Sequence, residues 1–253
     1  MKTVDKAMSV LAQFSVSRTE IGLSEIARLA NLDKAATRRL LVSLIKHGYI
    51  EQRTDTRQYR LGNGFLNLAR VREATVPLNQ AAKEVSEKLS ATTDETVHIN
   101  IPTSESMTTI AYTLPLRGNV INIIPSQPLP FHATASGIAY LSFATPDRLK
   151  RALTISRREF TAHTSVTKAD LIKQIKQTQA NGFSYCRNTF EEGIASLAMP
   201  FFLDGDNPGG TIAIATHSQK MTTSHRAALI QPLADAITQL QNALLGDVTK
   251  RQL

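Results

Sequence analysis

Apolar positions along this chain recur at helical spacing at first and with strand-like alternation only later. Val4, Ala7, Met8, Leu11 and Phe14 predict a helix over Thr3 to Val16. The stretch from Gly22 to Gly62 is more informative. Ser24 can cap a short helix whose apolar side is Ile26, Ala27 and Ala30. Asn31-Leu32-Asp33 is short and polar enough to be a turn, and Asp33 can cap a second helix running to His47. Gly48 then stops it, since glycine accepts a left-handed backbone cheaply. Tyr49 to Arg53 and Gln58 to Leu61 read as two short strands around a four-residue turn. The order is helix, turn, helix, wing.

At about 100° per residue, the second helix should turn Ala36, Leu40, Leu41, Leu44 and Ile45 toward a core. Ala35, Arg39, Val42, Ser43 and Lys46 fall opposite, with Lys34 and Arg38 on the flanks. Small and basic residues facing outward suit a helix that meets base edges and phosphates. Lys34, Ala35, Thr37, Arg38, Arg39, Ser43 and Lys46 are therefore expected to serve the major groove and adjacent backbone of double-stranded DNA. Arg53, Arg57 and Gln58 in the wing would touch phosphates or the minor groove.

After the wing, Gly64 to Glu73 places Phe65, Leu68 and Ala69 on one side of a connecting helix, and Pro77 restarts the chain. The expected organisation is 1–63, a winged helix-turn-helix domain; 64–76, a linker helix; and 77–253, a second domain. There Leu78 to Ser90, Thr134 to Phe143 and Lys168 to Asn181 predict helices, the last closed by Gly182. Thr96 to Pro102, Met107 to Leu114, Val120 to Ile124, Phe183 to Arg187, Ile194 to Leu203 and Thr211 to Thr216 predict strands. Leu229, Leu233, Ile237, Leu240 and Leu244 stripe a C-terminal helix, with Pro232 at its first turn or at a kink. About six strands flanked by helices imply an α+β domain with a mostly antiparallel sheet.

Charge sharpens this division. Net charge is +8, and residues 1–76 hold 13 Lys/Arg against 7 Asp/Glu, while 77–253 are close to balanced. The excess lies where the DNA-reading pattern lies. Cys186 is the single cysteine, which excludes an intramolecular disulfide and a thiolate cluster. No apolar run is long enough to span a bilayer and no signal-peptide core is evident, so a cytoplasmic protein is expected, with no membrane partner.

GLSEIARLANLDKAATRRLLVSLIKHGYIE followed by YRLG resembles the DNA-binding half of the IclR-type transcriptional regulators. Leu129–Phe143 (LPFHATASGIAYLSF) resembles that family's signature around LHATASGKA, and Asn181–Phe202 resembles its later segment. Three motifs in the right order cover nearly the whole chain. The resemblance implies a winged helix-turn-helix domain, a linker helix and an effector-binding domain similar to GAF and PAS folds. It also implies a homodimer or dimer of dimers on a near-palindromic operator, repressing or activating under a small metabolite, with no cofactor. Two departures stand out. Ala35-Ala36 occupies the place of the family's Ser-Thr pair, which bears on target sequence, and Ile138 replaces its lysine, an exchange without evident reason.

By position within the family, the effector site would be lined by Ala135, Ser136, Cys186, Ile194, Ser196, Ala213 and Ala215, with Gly118 and Ile121 at its edge. Backbone N–H groups from Thr134 to Gly137 at a helix N-terminus favour a carboxylate or phosphate. The same small residues would also serve a helix packed closely on a sheet. Ala213 and Ala215 suggest a ligand less polar than glyoxylate or pyruvate, such as an aromatic or aliphatic acid.

A triad of His132, Ser136 and Glu191 or Glu192 lacks a nucleophile elbow, so a structural or ligand-contacting His132 is expected. The run Asp204 to Gly210 imitates part of a calcium loop but lacks the distal Glu and reads as a hairpin turn. His98, His163, His217 and His225 show no metal-ligand spacing. An enzyme with a vestigial winged domain, or a winged domain used only for protein contacts, would leave the gathered basic residues unexplained.

Overall fold

A computed structural model of the chain describes residues 2–75, 78–117, 120–125, 127–203 and 205–250. Contacts divide it into two units, Met1–Val76 and Pro77–Leu253.

The first unit is built from α1 (Thr3–Leu11), α2 (Leu23–Leu29), α3 (Lys34–Lys46), β1 (Ile50–Gln52), β2 (Tyr59–Leu61) and α4 (Gly64–Thr75). Its core gathers Val10, Ile21, Ile26, Ala30, Leu41, Ile50 and Tyr59. Asp33 Oδ1 accepts from the Ala36 N–H at 2.7 Å, holding the start of α3. Gly48 follows α3 with φ 73°, and Asn31 takes φ 52° in the turn before it. Strands β1 and β2 pair antiparallel, Glu51 opposite Arg60. Ile21 bridges to Tyr59 through two backbone bonds of 2.8 and 2.9 Å, stitching the wing to the helices.

Several local expectations change. Helix α2 is capped at Gly22, not Ser24, so no side chain closes its first turn. Helix α1 ends at Leu11 and buries Val10, while Val4 and Met8 of the expected core stripe are exposed. In α3 the buried residues are Leu41 and Thr37, and Ile45 is turned outward. Thr37 comes inside because its hydroxyl donates to the Asp33 carbonyl at 2.9 Å, which satisfies it without water.

The second unit contains α5 (Leu78–Thr93), β3 (Thr96–Pro102), β4 (Ser106–Thr113), β5 (Leu129–Pro130), α6 (Ala135–Phe143) and α7 (Pro146–Ala152). It continues with α8 (Lys168–Asn181), β6 (Ser184–Arg187), β7 (Ile194–Phe202), β8 (Pro208–His217) and α9 (Thr223–Lys250). The sheet runs β5-β4-β3-β8-β7-β6 and every adjacent pair is antiparallel. Helices α5 and α9 pack on one face, and α6, with α8 beside it, on the other. Gly182 closes α8 at φ 77°, and Pro232 sits inside α9 rather than at its start. The hairpin between β7 and β8 takes up the calcium-loop imitation, of which Asp204 lies outside the described residues. Among the described residues no helix is long and apolar enough to cross a membrane.

Val120 to Ile124 does not join the sheet. The Thr96 hydroxyl both accepts from the Ile121 N–H and donates to its carbonyl, each at 3.2 Å, so this apolar segment lies beside β3 rather than in a ladder. Its place at the sheet edge goes to the two-residue β5.

Candidate functional site

In α3 the Asp33 cap and the buried pair Thr37 and Leu41 set the rotation of the helix. Lys34, Ala35, Arg38, Arg39, Ser43 and Lys46 consequently lie exposed. None of the four cations among them forms an ion pair with a described residue. Thr37 is fully buried and cannot reach DNA, which removes it from the expected reading set.

The wing is arranged differently. Arg53 meets Asp55 through two bonds of 2.7 and 2.9 Å and Glu20 at 3.2 Å; these partners raise its pKa, and Arg53 in turn lowers that of Asp55. Arg60 is paired with Glu51 at 2.8 Å. Arg57, at φ 56° on the turn, is exposed and makes no ion pair among the described residues, and Gln58 is half-buried beside it.

In the second unit, a cleft of about 90 Å³ opens between the start of α6 and the sheet. Its floor follows from register. Cys186 pairs with Ser196, Ser196 with Ala215, and Ala215 with Thr96, a row of small side chains that leaves space above it. Ile121, Ala135, Ser136, Cys186, Ile194, Ser196 and Ala215 all line the cleft. Ala213 does not: it is wholly buried in the core shared with Ile138 and Ala139 of α6. Gly118 lies outside the described residues.

Thr134 caps α6, its hydroxyl accepting from the Gly137 N–H at 3.1 Å. The N–H groups of Ala135 and Ser136, in the helix's first turn, have no intrahelical acceptor. Gly137 allows α6 to start against Phe131, where a Cβ would lie 2.4 Å from the Phe131 Cα. The loop after β6 is tied to the same place by the Thr189 hydroxyl, which donates to the Ala133 carbonyl at 2.7 Å.

The cleft is more polar than Ala213 and Ala215 suggested. His98, Thr109, Asn122, Gln127, Thr134, Thr189 and Glu191 also line it, and among the described residues no Lys or Arg does. His98 was not legible as a site residue, because it acquires its place only through the pairing of β3 with β8. Its Nδ1 lies 3.1 Å from Asn100 Oδ1, Thr109 Oγ1 donates to that oxygen at 2.9 Å, and Asn100 Nδ2 donates to Ser136 Oγ at 2.9 Å. Burial lowers the His98 pKa and pushes the Cys186 thiol up to about 11, so neither is charged near neutrality.

His132 instead bonds the Arg158 carbonyl at 2.9 Å, and Ser136 is engaged with Asn100, so the imagined triad is not assembled. His225 pairs with buried Glu95 at 2.6 Å, on another part of the unit. Among the described residues no three His, Cys, Asp or Glu come together as a metal site.

The description "Bacterial transcriptional regulator IclR C-terminal" matches residues 74–242, and "IclR helix-turn-helix domain" matches residues 3–54. The HTH-type transcriptional regulator XynR of Escherichia coli (strain K12) is 26% identical, covering 96% of this chain and 97% of the relative. A crystal structure from Silicibacter sp. TM1040, described as an IclR transcriptional regulator, superposes with a TM-score of 0.90 at 31% identity and covers 96% of both chains. An IclR homologue from Microbacterium hydrocarbonoxydans, in complex with 4-hydroxybenzoate, has a TM-score of 0.81 at 18% identity, covering 97% of this chain and all of that one. That last likeness is one of fold.

Proposed function

Because this chain belongs to the IclR family of bacterial transcriptional regulators, we propose that it controls transcription by binding a near-palindromic operator under the command of a small organic acid. The observation that carries the DNA half is the set Lys34, Arg38, Arg39 and Lys46: exposed, on one capped helix, and without carboxylate partners among the described residues. Cations already neutralised, such as Arg53, offer less to a phosphate. Arg39, Arg38, Ala35 and Ser43 would face the major groove, Lys34 and Lys46 its phosphates, and Arg57 with Gln58 the flanking backbone.

One recognition helix spans only a few base pairs. The active species is therefore a homodimer or dimer of dimers, with half-sites about one helical turn (10–10.5 bp) or a multiple apart. The protein acts in the cytoplasm, where that DNA is found.

The effector would take the cleft at α6, its carboxylate on the N–H groups of Ala135 and Ser136 and its remainder over Ser196 and Ala215. A fold neighbour that holds 4-hydroxybenzoate supports an acid of this size. Among the described residues no Lys or Arg lines the cleft and Glu191 does, so the anion would rest on the backbone dipoles at the start of α6, away from that carboxylate. The test is footprinting of the chain's own upstream region, followed by operator binding titrated with carboxylic acids. A monomer on one asymmetric half-site would overturn the symmetry. Operator affinity indifferent to every acid would overturn the effector class.

A further inference from the structure

His98 is buried on β3 and lines the cleft, and only one of its two ring nitrogens is used within the described residues. The other follows from a chain of assigned roles. Asn100 is wholly buried, and its Nδ2 is committed to Ser136 Oγ. Its Oδ1 is therefore the acceptor for both Thr109 Oγ1 and His98 Nδ1. Nδ1 must then carry a proton. In a neutral imidazole this leaves Nε2 with a bare lone pair, able only to accept.

Burial keeps the ring neutral, since desolvation disfavours its charged form. The clamp also fixes the ring's rotation, as an outer hydrogen bond on one ring nitrogen does for the other. Ser136 Oγ accepts from Asn100, so its own proton is directed away from Asn100. His98 thus lines the cleft with an acceptor, Nε2, that no described residue satisfies.

Resting on the organic-acid reading above, we propose that His98 Nε2 accepts a hydrogen bond from a hydroxyl of the effector, so that the cleft selects hydroxy acids over their deoxy counterparts. A buried acceptor left unpaired is costly, so an acid without a donor loses affinity, and a methyl ether, which cannot donate, loses it as well.

The test is calorimetric titration of the full chain with matched series: mandelate, phenylacetate and α-methoxyphenylacetate; 4-hydroxybenzoate, benzoate and 4-methoxybenzoate; lactate, propionate and 2-methoxypropionate. In at least one series the hydroxy acid should bind about 10-fold more tightly than both partners. His98→Leu should bring that ratio to about 1, with phenylacetate or benzoate binding more tightly than to the wild type because no acceptor is then left unpaired, and His98→Gln, whose amide oxygen can accept, should restore part of the preference. If acids bind the wild type without preference for the hydroxyl, or if the preference survives His98→Leu, the role of His98 is overturned and the organic-acid reading stands. If no carboxylate binds the wild type, the organic-acid reading fails and this inference fails with it. The ether comparison needs no variant, so an absent hydroxyl preference overturns the proposal even where His98→Leu does not fold, and His98→Ala or His98→Gln then carries the assignment to this residue.

Discussion

Gly137 begins its helix directly against Phe131, so close that a Cβ at 137 would stand 2.4 Å from the Phe131 Cα and 2.6 Å from its carbonyl oxygen. The obstacle is backbone, which cannot swing aside as a side-chain tip can. Gly137→Ala should therefore push the start of α6 away from the Phe131 backbone and destabilise the second unit by about 1–3 kcal/mol. Chemical denaturation followed by circular dichroism checks this. An unchanged midpoint would mean that the approach of α6 to Phe131 is not tight.

Stability should depend on pH through the buried histidines. His98 and His132 both have lowered pKa values, with burial the largest cause in each. As pH falls below the ordinary value of 6.5, the unfolded chain takes up protons that the folded rings refuse. Their contribution is thus complete above that pH and is lost below it, at up to about 1.4 kcal/mol per pH unit for each ring. Urea midpoints at pH 8 and pH 5.5 should differ accordingly, and His98→Gln should reduce the difference. A variant with the wild-type pH profile would show that His98 does not contribute.

Arg39→Ala should weaken specific operator binding by about 1–3 kcal/mol without affecting folding, because the residue is exposed and makes no ion pair among the described residues. Arg53→Ala should cost less in binding, since Asp55 and Glu20 already hold that guanidinium. Fluorescence anisotropy at fixed salt measures both. Equal losses would place Arg53 in the interface despite its partners.

Filling the cleft should separate effector response from DNA binding. Ser196 lines the cleft and is half-buried, so Ser196→Phe adds bulk without disturbing the deep core around Ile138. Operator affinity should be unchanged, while the concentration of a carboxylic acid needed to alter it should rise at least about 10-fold. An unaltered response would place the effector elsewhere.

Much of this molecule was legible locally. Asp33 as a cap, Gly48 and Gly182 as stops, and the length of α8 follow from residues within a turn of one another, and so survive any tertiary arrangement. The outward cations of α3 followed from the helical period alone, and the family resemblance from three ordered motifs. Which apolar residues were inside did not. Val4 and Met8 share the spacing of Val10's helix yet are exposed, and Thr37 is buried because a backbone carbonyl one turn earlier takes its hydroxyl proton. The segment 120–124 alternates like a strand, but Thr96 holds its backbone away from the ladder.

Ala213 and Ala215 look alike in sequence, and only the packing of α6 puts one in the core and the other on the cleft floor. His98 had no signal of its own. Its meaning depends on Asn100, Thr109 and Ser136, up to 38 positions away, which meet it only when β3 pairs with β4 and α6 lies on the sheet. Caps and periods are set by neighbours in the chain, whereas a cleft is set by register and by the close approach of a helix. No local pattern encodes those.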